Sequence, residues 1–224
     1  MAYESNLAMK LVPYVAGEQP KSQTRLIKLN TNENPYPPSP RVAEVLQGKA
    51  DALRLYPDME ATALREAIAQ VNGIRLEQVF CGNGSDEVLA FAFAAFFAGK
   101  KVLAPNITYS FYPVYGQLFD VDYQTVPLRA DYTVNVDGLM QKAPVVLANP
   151  NAPTGIFLGI DQIERLARHT KAAEEILLVD EAYAAFAPES ALPLLEEYDN
   201  LLIVRTFSKS HALAGMRVGY AMGS

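Results

Sequence analysis

The chain has one cysteine, Cys81, and two histidines, His169 and His211, in 224 residues. A single thiol excludes an intramolecular disulfide, and neither residue type falls at metal-ligand spacing, so no metal centre is expected. The histidines have no partner at a spacing that suits acid–base work, and both read as non-catalytic. Basic residues are also scarce. Lys and Arg total 19 against 25 Asp and Glu, a formal net charge of −6, and no basic cluster suggests a track along a phosphate backbone. Nucleic acid is not an expected partner. Long apolar runs are missing as well: the longest, Val88 to Ala98, falls well short of the roughly 20 residues a membrane-crossing helix needs. It reads instead as a helix buried on every side, between a sheet and another layer. Met1 to Lys10 has neither the basic start nor the apolar core of an export signal, which together with the lone thiol favours a reducing cytoplasm. There is no internal repeat and no low-complexity tract.

What is present is an ordinary globular composition, 50% hydrophobic and 20% charged, in a chain long enough to bury one large core or two small ones. Residues up to Leu29 are weakly periodic, and the stretch from Asn30 to Pro40 then crowds turn formers together. That stretch suggests a boundary, dividing the chain into an N-terminal segment, 1–35, and a larger domain, 36–224. Helices are predicted over Arg41 to Lys49 and Met59 to Val71, the second capped by Asp58 and stopped by Asn72-Gly73. From Gln78 onward short β-prone runs recur at Val79-Phe80-Cys81, Lys101 to Ala104, Val121 to Val126, Val145 to Ala148, Ile176 to Val179 and Leu201 to Val204, with Arg217 to Met222 as a possible last strand. Alternation of such runs with helical or loop-like segments argues for an α/β fold of three layers, a mostly parallel sheet covered by helices on both faces.

The ends of these runs carry the chemistry. Lys209 follows Leu201 to Val204 within Thr206-Phe207-Ser208-Lys209-Ser210, eight positions before Arg217. A lysine just past a buried strand sits where open α/β sheets bind ligands, and hydroxyls beside it with a guanidinium downstream suit a Schiff base to a phosphorylated aldehyde. A merely solvated lysine is the alternative. Gly82-Asn83-Gly84-Ser85-Asp86-Glu87 opens the apolar helix, so glycine-permitted geometry aims free N–H groups at a helix N-terminus, where a phosphate binds well. Ser85 acting as a plain helix cap, with Asp86 and Glu87 complementing the dipole, remains open. Asp180 ends the Ile176 to Val179 run and leads into Glu181-Ala182-Tyr183. A carboxylate there is costly unless paired, and a protonated pyridine nitrogen is an apt partner. Tyr183 can donate to a ring oxygen. The bland reading makes Asp180 the start of a turn and Tyr183 a packing residue. Asn149 opens the proline-stiffened turn Asn149-Pro150-Asn151-Ala152-Pro153-Thr154-Gly155, which either offers its amide to a ring hydroxyl or is simple punctuation. Tyr109 is placed to stack on a planar ring, although with 12 Tyr and 10 Phe any one aromatic, Tyr56 included, can equally be core or surface.

In this order, Gly82 to Glu87, Tyr109, Asn149 to Gly155, Asp180 to Tyr183 and Ser208-Lys209 through Arg217 resemble the fold-type I aminotransferases that use pyridoxal 5′-phosphate. Lys28 to Tyr36, Arg54-Leu55-Tyr56-Pro57-Asp58 and Thr206 to Tyr220 are most similar to the histidinol-phosphate branch of that family, from about Leu11 to Ser224. The resemblance implies that Lys209 holds the cofactor as a Schiff base and later shuttles a proton. Asp180 keeps the ring nitrogen cationic, Asn149 and Tyr183 bind the phenolic oxygen, and Tyr109 stacks on the ring. Gly84, the backbone of Ser85 and Asp86, the hydroxyls of Thr206 and Ser208, and Arg217 take the phosphate. The match to Tyr56 implies contact with a neighbouring subunit's cofactor, hence a homodimer, and the match to Tyr14 implies a place near the substrate phosphate.

The implied reaction exchanges an amino group between histidinol phosphate with 2-oxoglutarate and imidazole-acetol phosphate with glutamate, in histidine biosynthesis. Family members continue past the position of Ser224 into a small C-terminal domain that includes, at its other end, the counterpart of residues 1–35. The resemblance thus implies a C-terminally truncated chain whose turnover is less secure than its cofactor binding. Threonine-phosphate decarboxylation, aromatic amino acid transamination and a non-catalytic cofactor-binding fragment are the competing readings.

Overall fold

The computed structural model describes residues 3–12, 14–15, 17–18 and 27–224. Seven strands, β1 (Val79–Asn83), β2 (Lys101–Pro105), β3 (Asp122–Val126), β4 (Val145–Ala148), β5 (Leu177–Asp180), β6 (Leu201–Thr206) and β7 (Val218–Met222), form one sheet in the order β1-β7-β6-β5-β4-β2-β3. The five strands from β6 to β3 run parallel, whereas β7 lies antiparallel to both β6 and β1. The helices are α1 (Asn6–Lys10), α2 (Pro40–Leu46), α3 (Thr62–Asn72), α4 (Ser85–Ala92), α5 (Tyr112–Leu118), α6 (Val136–Leu139) and α7 (Ile160–Ala172).

The central strands are apolar without alternation because both faces are covered. Leu177 and Val179 of β5 point into one core with Ile163, Leu166 and Ala167 of α7, while Leu178 between them points into a second core with Val88, Leu89, Phe93 and Tyr112. The spacing of the buried residues Ile163, Leu166, Ala167 and Thr170 is that of one helical stripe. The expected three-layer α/β architecture is therefore present.

Local signals hold with shifts of a few residues. The Asp58 carboxylate accepts from the N–H of Glu60 at 3.1 Å and of Thr62 at 2.7 Å, so it caps α3 across an intervening turn and the helix begins at Thr62 rather than Met59. Gly73, at φ +67°, ends it. Helix α2 stops at Leu46, short of Lys49, and α1 has no counterpart in the sequence reading.

One expectation is corrected. The Val88 to Ala98 run is not buried on every side: α4 ends at Ala92, a wider turn spans Phe93–Phe97, and Phe91 and Phe96 stand 52% and 40% exposed. Val88, Leu89, Ala92, Phe93 and Phe97 face the sheet, but among the described residues no further layer packs over the opposite side. Apolar composition alone does not distinguish a helix covered on one side from one covered on two.

Candidate active site

Parallel register brings the carboxyl ends of neighbouring strands level: Ala148 of β4 lies beside Asp180 of β5, and Asp180 beside Val204 of β6. The segments that leave these strands therefore start side by side, at the crevice where open α/β sheets bind ligands. A cleft of about 250 Å³ opens there, lined by Ser85, Asp86, Tyr109, Asp180, Tyr183, Thr206, Ser208, Lys209 and Arg217. Predicted site residues from four of the five segments thus line one cleft.

At one end the chain is built for an anion. Helix α4 starts at Ser85 with no side chain capping it, so the first-turn N–H groups face the cleft mouth. Gly84 holds φ +87°, and a Cβ there would stand 2.3 Å from Arg217 Nη2. Gly219, in β7, passes so close beneath the same terminus that a Cβ would meet Ser85 N at 2.2 Å. Glycine at both positions lets backbone and guanidinium converge on one small volume. The Thr206 hydroxyl donates to Ser208 Oγ at 2.9 Å and accepts the Ser208 N–H at 3.1 Å, fixing both hydroxyls at the rim. Of the two acidic side chains, Glu87 folds back to accept the Asn83 N–H at 2.7 Å, whereas Asp86 enters the cleft and meets Arg217 Nη2 at 3.2 Å and the Tyr109 hydroxyl at 2.8 Å.

At the other end lies Asp180, 5% exposed. Tyr112 donates to its Oδ2 at 2.9 Å and the Ala182 N–H to its Oδ1 at 3.1 Å, but no cation pairs with it among the described residues. Burial pushes its pKa up to about 6, against the ordinary 3.8; the two donors pull it down, and the nearby Asp86 and Glu181 charges push it further up. Burial and the Asp86 charge hold the Tyr109 phenol well above its ordinary range, so it stays a donor.

Lys209 Nζ lies 3.3 Å from the Thr31 carbonyl and 3.4 Å from that of Asn32, and 5.6 Å from the centre of the Tyr183 ring. Asn32 Nδ2 donates to the Tyr183 hydroxyl at 2.9 Å, and Asn34 Nδ2 to the Lys209 carbonyl at 3.0 Å. The Asn30 to Pro40 stretch is therefore more than a break between elements, because its start forms one wall of the cleft. Turn-rich composition marked the segment but not its destination. Tyr112 was missed for a similar reason, its aromatic pattern being that of any buried helix.

Four site residues stand apart from the cleft lining. Gly84 lies behind Arg217. Asn149 is buried and does not offer the free amide expected of it: Nδ2 donates to the Leu158 carbonyl at 3.1 Å and Oδ1 accepts the Leu158 N–H at 2.8 Å, which ties its turn to the next segment and leaves one amide hydrogen. Tyr14 packs edge-on against Phe111 at 4.6 Å and lines a neighbouring depression that Tyr109, Tyr183 and Lys209 share. Tyr56 is fully exposed. His169 and His211 line no part of the cleft, and no cluster of three or more His, Cys, Asp or Glu suits a metal ion among the described residues.

An anion-receptive corner, a buried carboxylate and an amine share one crevice of a mostly parallel sheet, the fold-type I arrangement. Residues 24–224 match the family described as aminotransferase class I and II, and the chain belongs to that family. It is 55% identical to the histidinol-phosphate aminotransferase of Acetobacter pasteurianus over 222 residues, 98% of this chain and 62% of that protein. Against the enzyme of that name from Lactococcus lactis subsp. cremoris (strain SK11) the identity is 48%, over 100% of this chain and 63% of the relative. The crystal structure of histidinol-phosphate aminotransferase from Sinorhizobium meliloti in complex with pyridoxal-5′-phosphate superposes with a TM-score of 0.79 at 29% identity, covering 86% of this chain and 55% of that one. The chain thus spans a little over three fifths of the length of the curated relatives it matches.

Proposed function

We propose that this chain carries the cofactor-binding part of a pyridoxal-phosphate-dependent transaminase, which moves an amino group between histidinol phosphate and 2-oxoglutarate in histidine biosynthesis. The observation that carries the reading is the single cleft shared by the Lys209 amine, the buried Asp180 carboxylate and the anion-receptive corner of Ser85, Ser208 and Arg217. Identities of 48% and 55% to histidinol-phosphate aminotransferases favour that substrate over threonine phosphate or an aromatic amino acid.

Pyridoxal phosphate, when bound, supplies an aldehyde that captures an amine and a ring that stores an electron pair. The residues of the chain divide the remaining work. Lys209 offers the nucleophilic amine and afterwards carries a proton on Nζ. Asp180 would set a negative charge against the ring nitrogen, where burial would make the pairing strong. Arg217, the N–H groups of Ser85 and Asp86 and the hydroxyls of Thr206 and Ser208 hold the phosphate, with Gly84 and Gly219 giving the clearance. To hold it, Arg217 would give up its Asp86 partner. Tyr109 would cover the ring, and Tyr183 with the remaining amide hydrogen of Asn149 would take its oxygen.

Tyr14 belongs near the substrate phosphate. Tyr56, fully exposed here, would reach the site of a second copy, which makes the working unit a homodimer, and the lone thiol favours the cytoplasm for it. Residues 1–35, of which 1–2, 13, 16 and 19–26 lie outside the described residues, belong with a small second domain, and 36–224 form the cofactor-binding domain.

Titrating the purified chain with pyridoxal phosphate should produce a visible absorption band that borohydride fixes on Lys209, located by peptide mapping. Lys209→Ala should abolish the fixation, and an adduct on another lysine overturns the assignment. Amino transfer from histidinol phosphate to 2-oxoglutarate supports the substrate, whereas carbon dioxide released from threonine phosphate, or transfer from aromatic amino acids alone, overturns it. A yellow protein inert to excess amino donor is a binding fragment.

A further inference from the structure

Tyr112 has no part in the roles above, yet it is the only side chain that donates to Asp180 among the described residues. It is fully buried, its ring stacked on Phe93 at 6.3 Å and edge-on to Tyr109 at 5.4 Å. A buried phenol ordinarily finds some hydrogen-bond partner. Here that partner is the carboxylate at the floor of the cleft. Tyr112 and Tyr109 sit one turn apart, with the Tyr112 N–H donating to the Tyr109 carbonyl at 3.3 Å. Their hydroxyls grip the two carboxylates at opposite ends of the site, Asp180 at 2.9 Å and Asp86 at 2.8 Å. One turn of chain therefore spans the anion corner and the ring end.

We propose that Tyr112 is a positioning residue, whose phenol holds the Asp180 carboxylate ionised and aimed so that a cationic ring nitrogen in the cleft meets a full negative charge. This rests on the pyridoxal phosphate reading. The charged and titratable groups that share the cleft with Asp180 or pack against it are Tyr112 and Tyr109 from the α5 side, Asp86 from α4, Glu181 next in the chain, Tyr183 just beyond, Glu33 from the N-terminal segment, and Lys209 and Arg217. Burial and the charges of Asp86 and Glu181 favour the neutral acid, while the Tyr112 donor favours the ion. Removing that donor tips the balance toward a proton resident on Asp180 instead of on the ring.

Tyr112→Phe keeps the ring and deletes the donor, whereas 3-fluorotyrosine at the same position is a stronger donor of nearly the same shape. In the ligand-free full chain, the carbon NMR titration of the Asp180 carboxyl should move up by roughly one pH unit in Tyr112→Phe and down in the fluorinated protein. In the chain loaded with ring-nitrogen-15 pyridoxal phosphate, the nitrogen signal of Tyr112→Phe should move toward that of a neutral pyridine. A midpoint unmoved in either variant overturns the proposal. So does lowered stability with midpoint and nitrogen signal both unchanged, the result expected of packing alone. Should Tyr112→Phe not fold, the fluorinated chain decides by the same criterion. Failure of the wild-type chain to take up pyridoxal phosphate overturns the functional reading instead, since the ligand-free titration tests the Tyr112–Asp180 coupling by itself.

Discussion

Three carboxylates, Glu181, Asp180 and Asp86, stand at or beside the cleft, and their partners separate their work. Glu181 is buried and surrounded: Arg205 of β6 meets it at 2.8 Å, the Ser190 hydroxyl and the Ala191 N–H donate to it, and Arg205 also reaches Asn72. Asp180, its neighbour in the chain, is nearly as buried but has donors and no cation. Asp86 has a cation, Arg217, but both side chains of that pair are about 45% exposed and their contact is 3.2 Å long. A surrounded pair is structural, an unpaired buried charge awaits a cationic ligand, and a loose pair at a cleft mouth is readily exchanged for a stronger anion.

Breaking the surrounded pair should have the largest effect. Arg205→Ala leaves Glu181 buried without a counter-charge, and urea unfolding should show a loss of roughly 3–5 kcal/mol. A loss near zero would erase the distinction between this pair and the Asp86–Arg217 pair. The pair clamps the exits of β5 and β6, where the Glu181 N–H donates to the Val204 carbonyl at 2.8 Å, so the variant should also bind pyridoxal phosphate more weakly.

Asp180 comes next, with the opposite sign. Its folded pKa, about 6, lies above the ordinary 3.8, so the folded state binds this proton more tightly than the unfolded chain. The stability this contributes is complete below about pH 4 and lost as pH rises through 6, on the order of 3 kcal/mol. Ligand-free Asp180→Asn should therefore lose much of the pH dependence of unfolding between pH 4 and 7, and at pH 8 be no less stable than wild type while losing amino transfer. A parallel pH dependence in both proteins would show that the carboxylate is not held at a cost.

Arg217→Ala should cost under about 1 kcal/mol of stability, because an exposed pair contributes little. Its affinity for pyridoxal phosphate should nonetheless fall at least about tenfold, as expected for a lost charge-assisted contact, read from the absorbance titration. Asp86→Asn should change least: stability within about 0.5 kcal/mol, and phosphate affinity unchanged or improved, since it removes the competitor for Arg217. A marked fall in affinity would identify Asp86 as a partner of the cofactor rather than a placeholder.

The residues differ in how openly the sequence declared them. Asp180 and Lys209 were legible because one ends a strand-like apolar run and the other lies a few residues past one, and a charge at the mouth of a buried strand has few inexpensive explanations. Gly73 and Asp58 were legible because their roles are local. Asn32 and Asn34 were not, since they reach the site across a separation of more than 150 positions, which no spacing rule encodes. Asn149 stands apart from the cleft lining with its amide committed to Leu158, a partner nine residues on that a turn signal does not name. The outward faces of Phe91 and Phe96 were hidden because hydrophobicity reports a preference for burial and not whether a covering layer exists.

The position of β7 has a consequence for how the chain acquires its shape during synthesis. Among the described residues, strand β1 hydrogen-bonds to no strand but β7, and Val79 pairs with Met222. Until the ribosome has released β7, β1 has no strand to pair with, and the cup around Ser85 lacks both Arg217 and Gly219. Contacts of such long separation are slow to form. An arrested nascent chain halted anywhere ahead of Val218 should therefore be open to protease at β1 and unable to retain pyridoxal phosphate.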